Sequence, residues 1–223
     1  MKKLIFSILS LTLILILNSC SSVKVLDSWK ADNVSNIKDK NILVIARTAN
    51  NQARIAFENE IVNQLTERGM KATASFTKFP QINPDQEVTE ERMEMIKTIL
   101  SNEGFDGVVL TVIKDYQEQT KTVTDGGYYA GGTYAGYYPL YYGGFYGYYR
   151  NPYSYSTFGS YVPSTTTTYN KKIYVLETVA YNLDEPEGKQ LVAVTTTKIE
   201  DPSNVTKVAA EYVKAITKSL DAK

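Results

Sequence analysis

The sequence predicts an α/β (α+β) domain, with a small mixed sheet of about five strands and three helices largely on one face. Short β-branched runs alternate with segments of helical periodicity in the first half of the chain. Two β-rich runs joined by a turn follow later, and the last segment carries an apolar stripe at helical spacing. The predicted order is β-α-β-α-β-[Tyr/Gly insertion]-β-β-α.

The first predicted elements are an edge strand, a buried strand and a helix. The run "VKVLDSW" predicts the edge strand, with Trp29 as its anchor against the domain. The run "KNILVIART" is short and β-branched, which is typical of a buried strand. The segment 50–69 predicts a helix that ends at Gly69. Its apolar residues recur at i, i+4: Ala53, Phe57, Ile61 and Leu65.

A second strand, a loop, a second helix and a third strand follow. The run "MKATASF" predicts the strand, and Pro80 and Pro84 mark the loop. The segment 90–104 predicts a helix because it has acidic residues in its first turn and Gly104 at its end. The run "FDGVVLTVIKDY" is apolar enough to be a central strand.

The last third of the chain predicts a hairpin and a helix. The runs "KKIYVLETVAYNL" and "QLVAVTTTKIE" flank the turn "DEPEG", which contains Pro186 and Gly188. Pro202 and Ser203 then introduce a helix whose apolar stripe is expected to face the sheet. The stripe consists of Val205, Val208, Ala209, Tyr212, Val213, Ile216 and Leu220.

The chain begins with the pattern of a secretory signal. Lys2 and Lys3 give a positive start, and the apolar run 4–17 has the length of a signal core rather than of a membrane span. The run ends in "LNSC", which resembles the cleavage box of bacterial lipoproteins. We therefore expect residues 1–19 to be a lipoprotein signal peptide and residues 20–40 to be a lipidated tether that includes the edge strand.

Cys20 is the single cysteine of the chain. The lipoprotein resemblance implies that it is the first residue of the mature chain and carries acyl chains such as palmitate. Stable anchoring takes more than one acyl chain, and the triacylated terminus implied by the resemblance meets that condition. Ser21 and Ser22 follow instead of Asp, which by the sorting rule of enteric lipoproteins implies the outer membrane. No acidic run follows Cys20, so we expect the chain to face the periplasm.

Composition excludes several function classes. The chain has no histidine, which rules out Ser-His-Asp and Cys-His catalysis, histidine-ligated zinc and histidine-held haem. A single cysteine excludes an internal disulfide and a cysteine-based metal site, and we expect no cofactor. Without residues 1–19 the chain carries 22 basic and 24 acidic residues, so no basic footprint for nucleic acid is present.

Residues 41–223 predict one domain that is interrupted by a low-complexity insertion over residues 120–170. Around the insertion, residues 41–116 and 171–222 resemble a group of envelope lipoprotein domains. The group includes the curli-secretion-channel family, the amino-terminal domain of the Tol–Pal periplasmic protein and penicillin-binding-protein activators. The shared features are a helix that ends in glycine, a "GFDG" step into the third strand and a "DEPEGK" turn in the late hairpin. The resemblance implies a non-enzymatic protein and carries over no catalytic residue.

The insertion is rich in tyrosine and glycine. Residues 126–169 contain 14 of the 18 tyrosines and 9 of the 13 glycines, with one charged residue, Arg150. The segment has too few aliphatic residues to bury a core of its own, so we expect a long loop or hairpin tip that projects from two strands. Tyrosine offers a large flat face and a hydroxyl at a low rotamer cost.

Three interpretations of the insertion stay open: a disordered insertion without a ligand, an interaction arm, and an element that contacts the membrane interface. An arm would contact an envelope protein, other copies of the chain or glycan rings. The candidate binding residues are Tyr128, Tyr129, Tyr137, Tyr138, Tyr141, Tyr142, Tyr148 and Tyr149.

Carboxylate chemistry is the enzymatic alternative. A glycoside hydrolase needs two carboxylates across a cleft, and sequence spacing does not show whether two of them meet. Turn and strand-end roles account for each acidic residue more simply, so we expect no catalytic residue and no enzyme. The residues considered are Asp106, Glu177, Asp184, Glu185, Glu200 and Asp201.

The sequence thus predicts a non-catalytic, membrane-anchored envelope lipoprotein that acts as a binding or assembly module, with the Tyr/Gly-rich loop as its interaction arm. The alternative is a structural or adhesive lipoprotein whose arm self-associates or binds peptidoglycan or polysaccharide. A weaker alternative is an envelope glycan hydrolase that uses Asp and Glu.

Overall fold

The fold is a six-stranded mixed sheet with helices on both faces. The computed structural model describes residues 22–79, 88–122, 128–130, 144–150, 160–162 and 168–222. The strands are β1 (Val23–Lys30), β2 (Asn41–Arg47), β3 (Lys71–Ala74), β4 (Gly107–Thr122), β5 (Tyr128–Ala130), β6 (Ser160–Val162), β7 (Thr168–Asn182) and β8 (Leu191–Glu200). The helices are α1 (Asn51–Glu67), α2 (Glu90–Asn102), α3 (Phe145–Arg150) and α4 (Val205–Asp221).

The strands of the main sheet run in the order β1-β8-β7-β4-β2-β3. β2 lies parallel to β3 and β4, whereas β4, β7, β8 and β1 pair antiparallel. β5 and β6 form a separate antiparallel pair. The predicted α/β class, the hairpin and the edge strand are therefore confirmed. The sheet has six strands rather than about five because β1 pairs with β8 from Val23 to Lys30.

The two faces of the sheet are covered by different helices. α1 and α4 pack on one face, which we call the α1/α4 face, against residues such as Ile42, Val44 and Val109. α2 and α3 pack on the other, the α2/α3 face, against Leu43 and Leu110. Two of the three predicted helices thus share a face as expected, and the third lies on the opposite one. Strand alternation exposes apolar residues on both faces of β2 and β4, so both faces need a cover.

Side-chain caps and glycines fix the helix ends. Asn50 accepts a hydrogen bond from the Ala53 backbone N–H at 3.0 Å at the start of α1, and Asn204 caps α4 in the same way. Gly69 and Gly104 follow α1 and α2 with φ of +80° and +64°, a conformation that favours glycine. The sequence therefore predicted both of these helix ends correctly.

Candidate interaction surface

The strands that flank the Tyr/Gly segment project beyond the sheet. Past Val112, β4 pairs only with β7 among the described residues, and past the pair of Ile173 with Glu200, β7 pairs only with β4. We call residues 113–122 and 168–176 the ribbon; at its base residues 173–176 still pair with β8, and its last five pairs are two-stranded. Its last five pairs extend about 17 Å past the sheet at ~3.4 Å per residue. The Tyr/Gly segment therefore starts and ends at the tip of a two-stranded projection.

The ribbon presents different chemistry on its two faces. Tyr116 is 46% exposed and packs against Tyr174 with ring centroids 4.8 Å apart and ring planes tilted by 40°. On the other face the Gln117 side chain donates to Asp115 at 2.7 Å, and the Gln119 side chain donates to Gln117 at 2.9 Å. An irregularity between Ile113 and Asp115 marks the base of the ribbon, where a bulge strengthens the local twist. At its base the ribbon is thus aromatic on one face and polar on the other.

The middle of the Tyr/Gly segment returns to the core as α3. Phe145 is fully buried and Tyr149 is 2% exposed. Phe145 packs edge-on against Tyr181 of β7, and its backbone N–H donates to the Gln190 side chain at 3.1 Å. Gly144 precedes the helix because a Cβ there would overlap the Glu187 side chain. Two aromatic side chains therefore anchor the segment to the α2/α3 face.

Arg47 links α3 to the end of β2. Its guanidinium donates to the Tyr149 carbonyl at 2.7 Å and lies 5.7 Å from the centroid of the Tyr149 ring. Burial raises the pKa of Tyr149, and the nearby Arg47 charge lowers it in part. The Tyr149 ring is therefore neutral at physiological pH and belongs to the packed interior.

The α2/α3 face becomes ionic toward the ribbon. Lys114 and Glu177 form a buried pair at 3.3 Å. Farther along, Glu200 pairs with Lys171 and with Lys198. Burial raises the pKa of Glu200, but hydrogen bonds from the two lysines outweigh it, and the pKa lies below its usual value. The base of the ribbon is therefore charged on its α2/α3 side.

The acidic residues considered for catalysis occupy structural positions. Asp106 accepts a hydrogen bond from the Asn41 backbone at 2.6 Å, which joins the starts of β2 and β4. Asp184 pairs with Lys40, and Asp201 accepts from the Lys172 backbone at 2.7 Å. Glu185 lies in the β7–β8 turn, where its backbone N–H donates to Asn182. Asp106, Asp184 and Glu185 therefore lie at one end of the sheet and Asp201 at the other, each with a partner within the fold.

The predicted binding residues fall into three groups. Tyr149 is in the core, and the backbone of Tyr148 is in α3. The backbones of Tyr128 and Tyr129 belong to β5. Outside the described residues lie Cys20, Tyr137, Tyr138, Tyr141 and Tyr142, together with the predicted signal peptide. The burial of Phe145 was not predicted, since the segment has no helical stripe that would single it out.

Sequence reasoning also missed two openings on the α1/α4 face. A small cleft of about 170 Å³ lies between the first turns of α1 and α4, beside Ala53 and Val205. A deep groove of about 370 Å³ lies between their second halves, beside Leu65 and Ile216. The rings of Phe57 and Tyr212, which are tilted by 57° with centroids 5.1 Å apart, lie between the two. The only available signal was a run of alanine and threonine in strands that otherwise carry large apolar residues.

Two further features are absent from the described residues. No helix among them is both long and apolar enough to cross a membrane. No group of three or more acidic, histidine or cysteine side chains in the described part of the chain could hold a metal ion.

Comparisons with known proteins match solved structures only. No family model matches the chain, and no curated protein matches it. A single-substitution variant of the PelC dodecamer from Paraburkholderia phytofirmans is 10% identical with a TM-score of 0.40, over 89% of this chain and 96% of that one. The PelC dodecamer in another crystal form is 10% identical with a TM-score of 0.39, over 90% and 97%. A DUF4136 family protein from Bacteroides thetaiotaomicron is 12% identical with a TM-score of 0.34, over 90% and 95%.

These matches are to chains of similar length at low sequence identity and low structural similarity. They do not confirm the resemblance to the curli-channel and Tol–Pal group, which stays a prediction.

Proposed function

We propose that this protein is a non-catalytic envelope lipoprotein, anchored through acylated Cys20 in the outer membrane and facing the periplasm. It acts as a binding or assembly module that recognises an envelope partner through its Tyr/Gly segment. The observation that carries the proposal is the way the segment is held: its two ends leave the tip of the ribbon, and its middle is anchored by Phe145 and Tyr149.

Display on a ribbon favours binding over a tolerated insertion. A segment without function needs neither a projecting ribbon nor an anchor in the core, because long surface insertions cost little loop-closure entropy. Anchoring the middle of a long segment shortens the loops on either side and so reduces the entropy lost when tyrosines bind a partner. Tyr116 and Tyr174 extend the aromatic surface onto the ribbon itself.

The anchor determines how the proposal is tested. Deleting residues 126–164 would remove Phe145 and Tyr149 and expose the core, so loss of binding would be ambiguous. We therefore replace Tyr137, Tyr138, Tyr141 and Tyr142 with serine and keep α3 intact. The full chain and this variant are used as bait with solubilised envelope, and captured proteins are identified by mass spectrometry. Met95→Ser, which removes an exposed apolar side chain from α2, outside the ribbon and the Tyr/Gly segment, is the matched control.

We expect the four-tyrosine variant to lose partners that the full chain and the control retain. Capture of the same proteins by all three chains would mean that the α/β domain recognises the partner, and it would contradict the proposal that the Tyr/Gly segment is an interaction arm. If the full chain captures nothing but sediments with peptidoglycan or forms oligomers, the structural or adhesive alternative replaces the adaptor. Lipidation is tested separately from the Tyr/Gly segment. Cys20→Ala should abolish palmitate labelling and release the chain from the membrane fraction. Retention of the label would contradict lipidation at Cys20.

A further inference from the structure

The deep groove has the size and construction of a ligand site. Its volume of about 370 Å³ lies within the roughly 300–1,000 Å³ that small-molecule sites span, whereas the small cleft falls below that range. We propose that the groove binds a single-chain anionic amphiphile, an apolar chain that ends in an acidic headgroup.

The space exists because the floor of the groove is built from small residues. Ala180 pairs with Ala193 across β7 and β8, and Thr178 pairs with Thr195 beside them. On the opposite face of the same strands Val179 and Val194 fill the core. The walls are aliphatic and bury an apolar chain: Ile37, Ile42, Ile61, Leu65, Val213 and Ile216.

A buried hydroxyl faces this apolar space. Thr195 is 1% exposed, and its Oγ1 has no hydrogen-bond partner among the described residues. Its neighbour Thr178, by contrast, bonds to Thr111 at 2.7 Å and to Tyr212 at 2.6 Å. A buried hydroxyl without a partner is costly, and a ligand oxygen within the groove would satisfy it. Thr195 is therefore expected to donate to an oxygen of the headgroup.

The charged residues of the groove favour an anion. They are Lys30, Lys38, Arg68 and Asp221. Asp221 is already engaged, since Arg68 donates to both of its oxygens at 3.0 and 2.7 Å. Lys30 lies on β1 opposite Ala193, two residues along from the pair of Ser28 with Thr195, so its backbone is about 7 Å from that pair at ~3.4 Å per residue. Its ammonium donates to the Leu220 carbonyl at 2.8 Å and has two further donors for a headgroup. A headgroup near Thr195 is thus within reach of a lysine, and hydrogen bonds to an ionised group are the stronger kind.

The test measures the binding of dodecanoate by calorimetry, at concentrations below its micellar concentration. The protein is residues 20–223 with Cys20→Ser, so that no acyl chain on the protein competes for the groove. Dodecyltrimethylammonium, with the same chain and a positive head, is the matched probe. A dodecanoyl lysophosphatidylglycerol and phosphatidylglycerol vesicles form two further arms, which separate a free fatty acid from a lipid acyl chain as the source.

We expect saturable dodecanoate binding at least tenfold tighter than that of the cationic probe. Ala193→Leu should fill the floor and abolish binding, whereas Ala53→Leu, which lines only the small cleft, should leave it unchanged. Thr195→Val and Lys30→Gln should each weaken dodecanoate binding three- to tenfold, and they preserve the test if Ala193→Leu does not fold.

Three results would overturn the proposal: no binding of dodecanoate, equal binding of both charges, or full binding by Ala193→Leu. Binding of vesicles alone would also overturn it, because a lipid surface does not enter the groove. Tighter binding of the lysolipid than of dodecanoate would support the groove and assign a membrane lipid as the source.

Discussion

The two faces of the sheet are closed by different means. The α1/α4 face is covered by two helices of 17 residues each, which touch in the middle through Phe57 and Tyr212 and diverge on either side. The α2/α3 face is covered by one helix of 13 residues and by a helix of six residues that comes from the Tyr/Gly segment. Regular helices therefore close one face, while a displayed segment helps to close the other.

This difference between the two faces indicates which parts of the domain could hold a ligand or contact a partner. On the α1/α4 face the strands carry small residues under the diverging helices, which leaves space for a ligand inside the domain. On the α2/α3 face the core is filled and charged pairs lie toward the ribbon, whereas the exposed Tyr116 ring contacts Tyr174 on the α1/α4 side. The α1/α4 face is thus suited to enclose a small molecule, and the ribbon with the Tyr/Gly segment is suited to present a surface to a larger partner.

The largest expected loss of stability comes from the hydrogen-bond network around Glu58 of α1. The Glu58 carboxylate is fully buried and accepts hydrogen bonds from the Ala46 backbone, the Arg54 guanidinium, the Ser75 hydroxyl and the Phe76 backbone, at 2.8 to 3.1 Å. Glu58→Gln leaves the Arg54 charge buried without its carboxylate. We expect the free energy of unfolding to fall by about 3–5 kcal/mol, measured by urea denaturation.

Glu67→Gln, near the exposed end of the same helix, is the matched control and should change the free energy of unfolding by less than about 0.5 kcal/mol. A loss below about 1 kcal/mol for Glu58→Gln would show that α1 does not depend on this network.

The second largest expected loss of stability comes from removing the side chain that holds α3 on the α2/α3 face. Phe145→Ala removes a buried ring that contacts Tyr181, and we expect a loss of roughly 3 kcal/mol, the low end for a buried phenylalanine. The loss is limited because α3 can detach without unfolding the sheet. Hydrogen exchange should show that residues 145–150 lose protection while β2 keeps it.

Tyr146→Ala, which removes a half-buried ring of the same helix, should leave that protection in place. Global unfolding of the Phe145→Ala variant would mean that α3 is part of the cooperative core rather than a detachable anchor.

The same contrast explains what the sequence could predict. α1, α2 and α4 each bury a side-chain stripe and begin at a capping side chain, and α1 and α2 also end at a glycine, so these signals point to the same elements. α3 is held by two aromatic residues within a run of tyrosines, and nothing local distinguishes Phe145 and Tyr149 from their neighbours. The deep groove depends on the divergence of two helices, which is a tertiary property that the sequence does not encode locally.

The smallest expected loss of stability comes from one buried hydrogen bond on the α1/α4 face. The Tyr212 hydroxyl bonds to Thr178 at 2.6 Å in the middle of that face, so Tyr212→Phe removes one buried hydrogen bond and keeps the ring. We expect a loss of about 1 kcal/mol at neutral pH, measured by thermal or urea unfolding. Tyr116→Phe, on the exposed ribbon, is the matched control and should cause no measurable loss at neutral pH.

The pH dependence separates this hydroxyl from simple packing. Burial raises the pKa of Tyr212 to about 12, although its hydrogen bonds to threonine lower it in part. Between the ordinary tyrosine pKa of about 10 and that value, the unfolded chain has lost the proton while the folded chain keeps it, so stability falls as pH rises. The parent should lose roughly 1–2 kcal/mol more than Tyr212→Phe between pH 9 and pH 11. Burial also raises the pKa of Tyr181, but this background is common to both proteins. Parallel stability curves for the two would mean that Tyr212 titrates as if exposed, and that the wall between the small cleft and the deep groove is open to water.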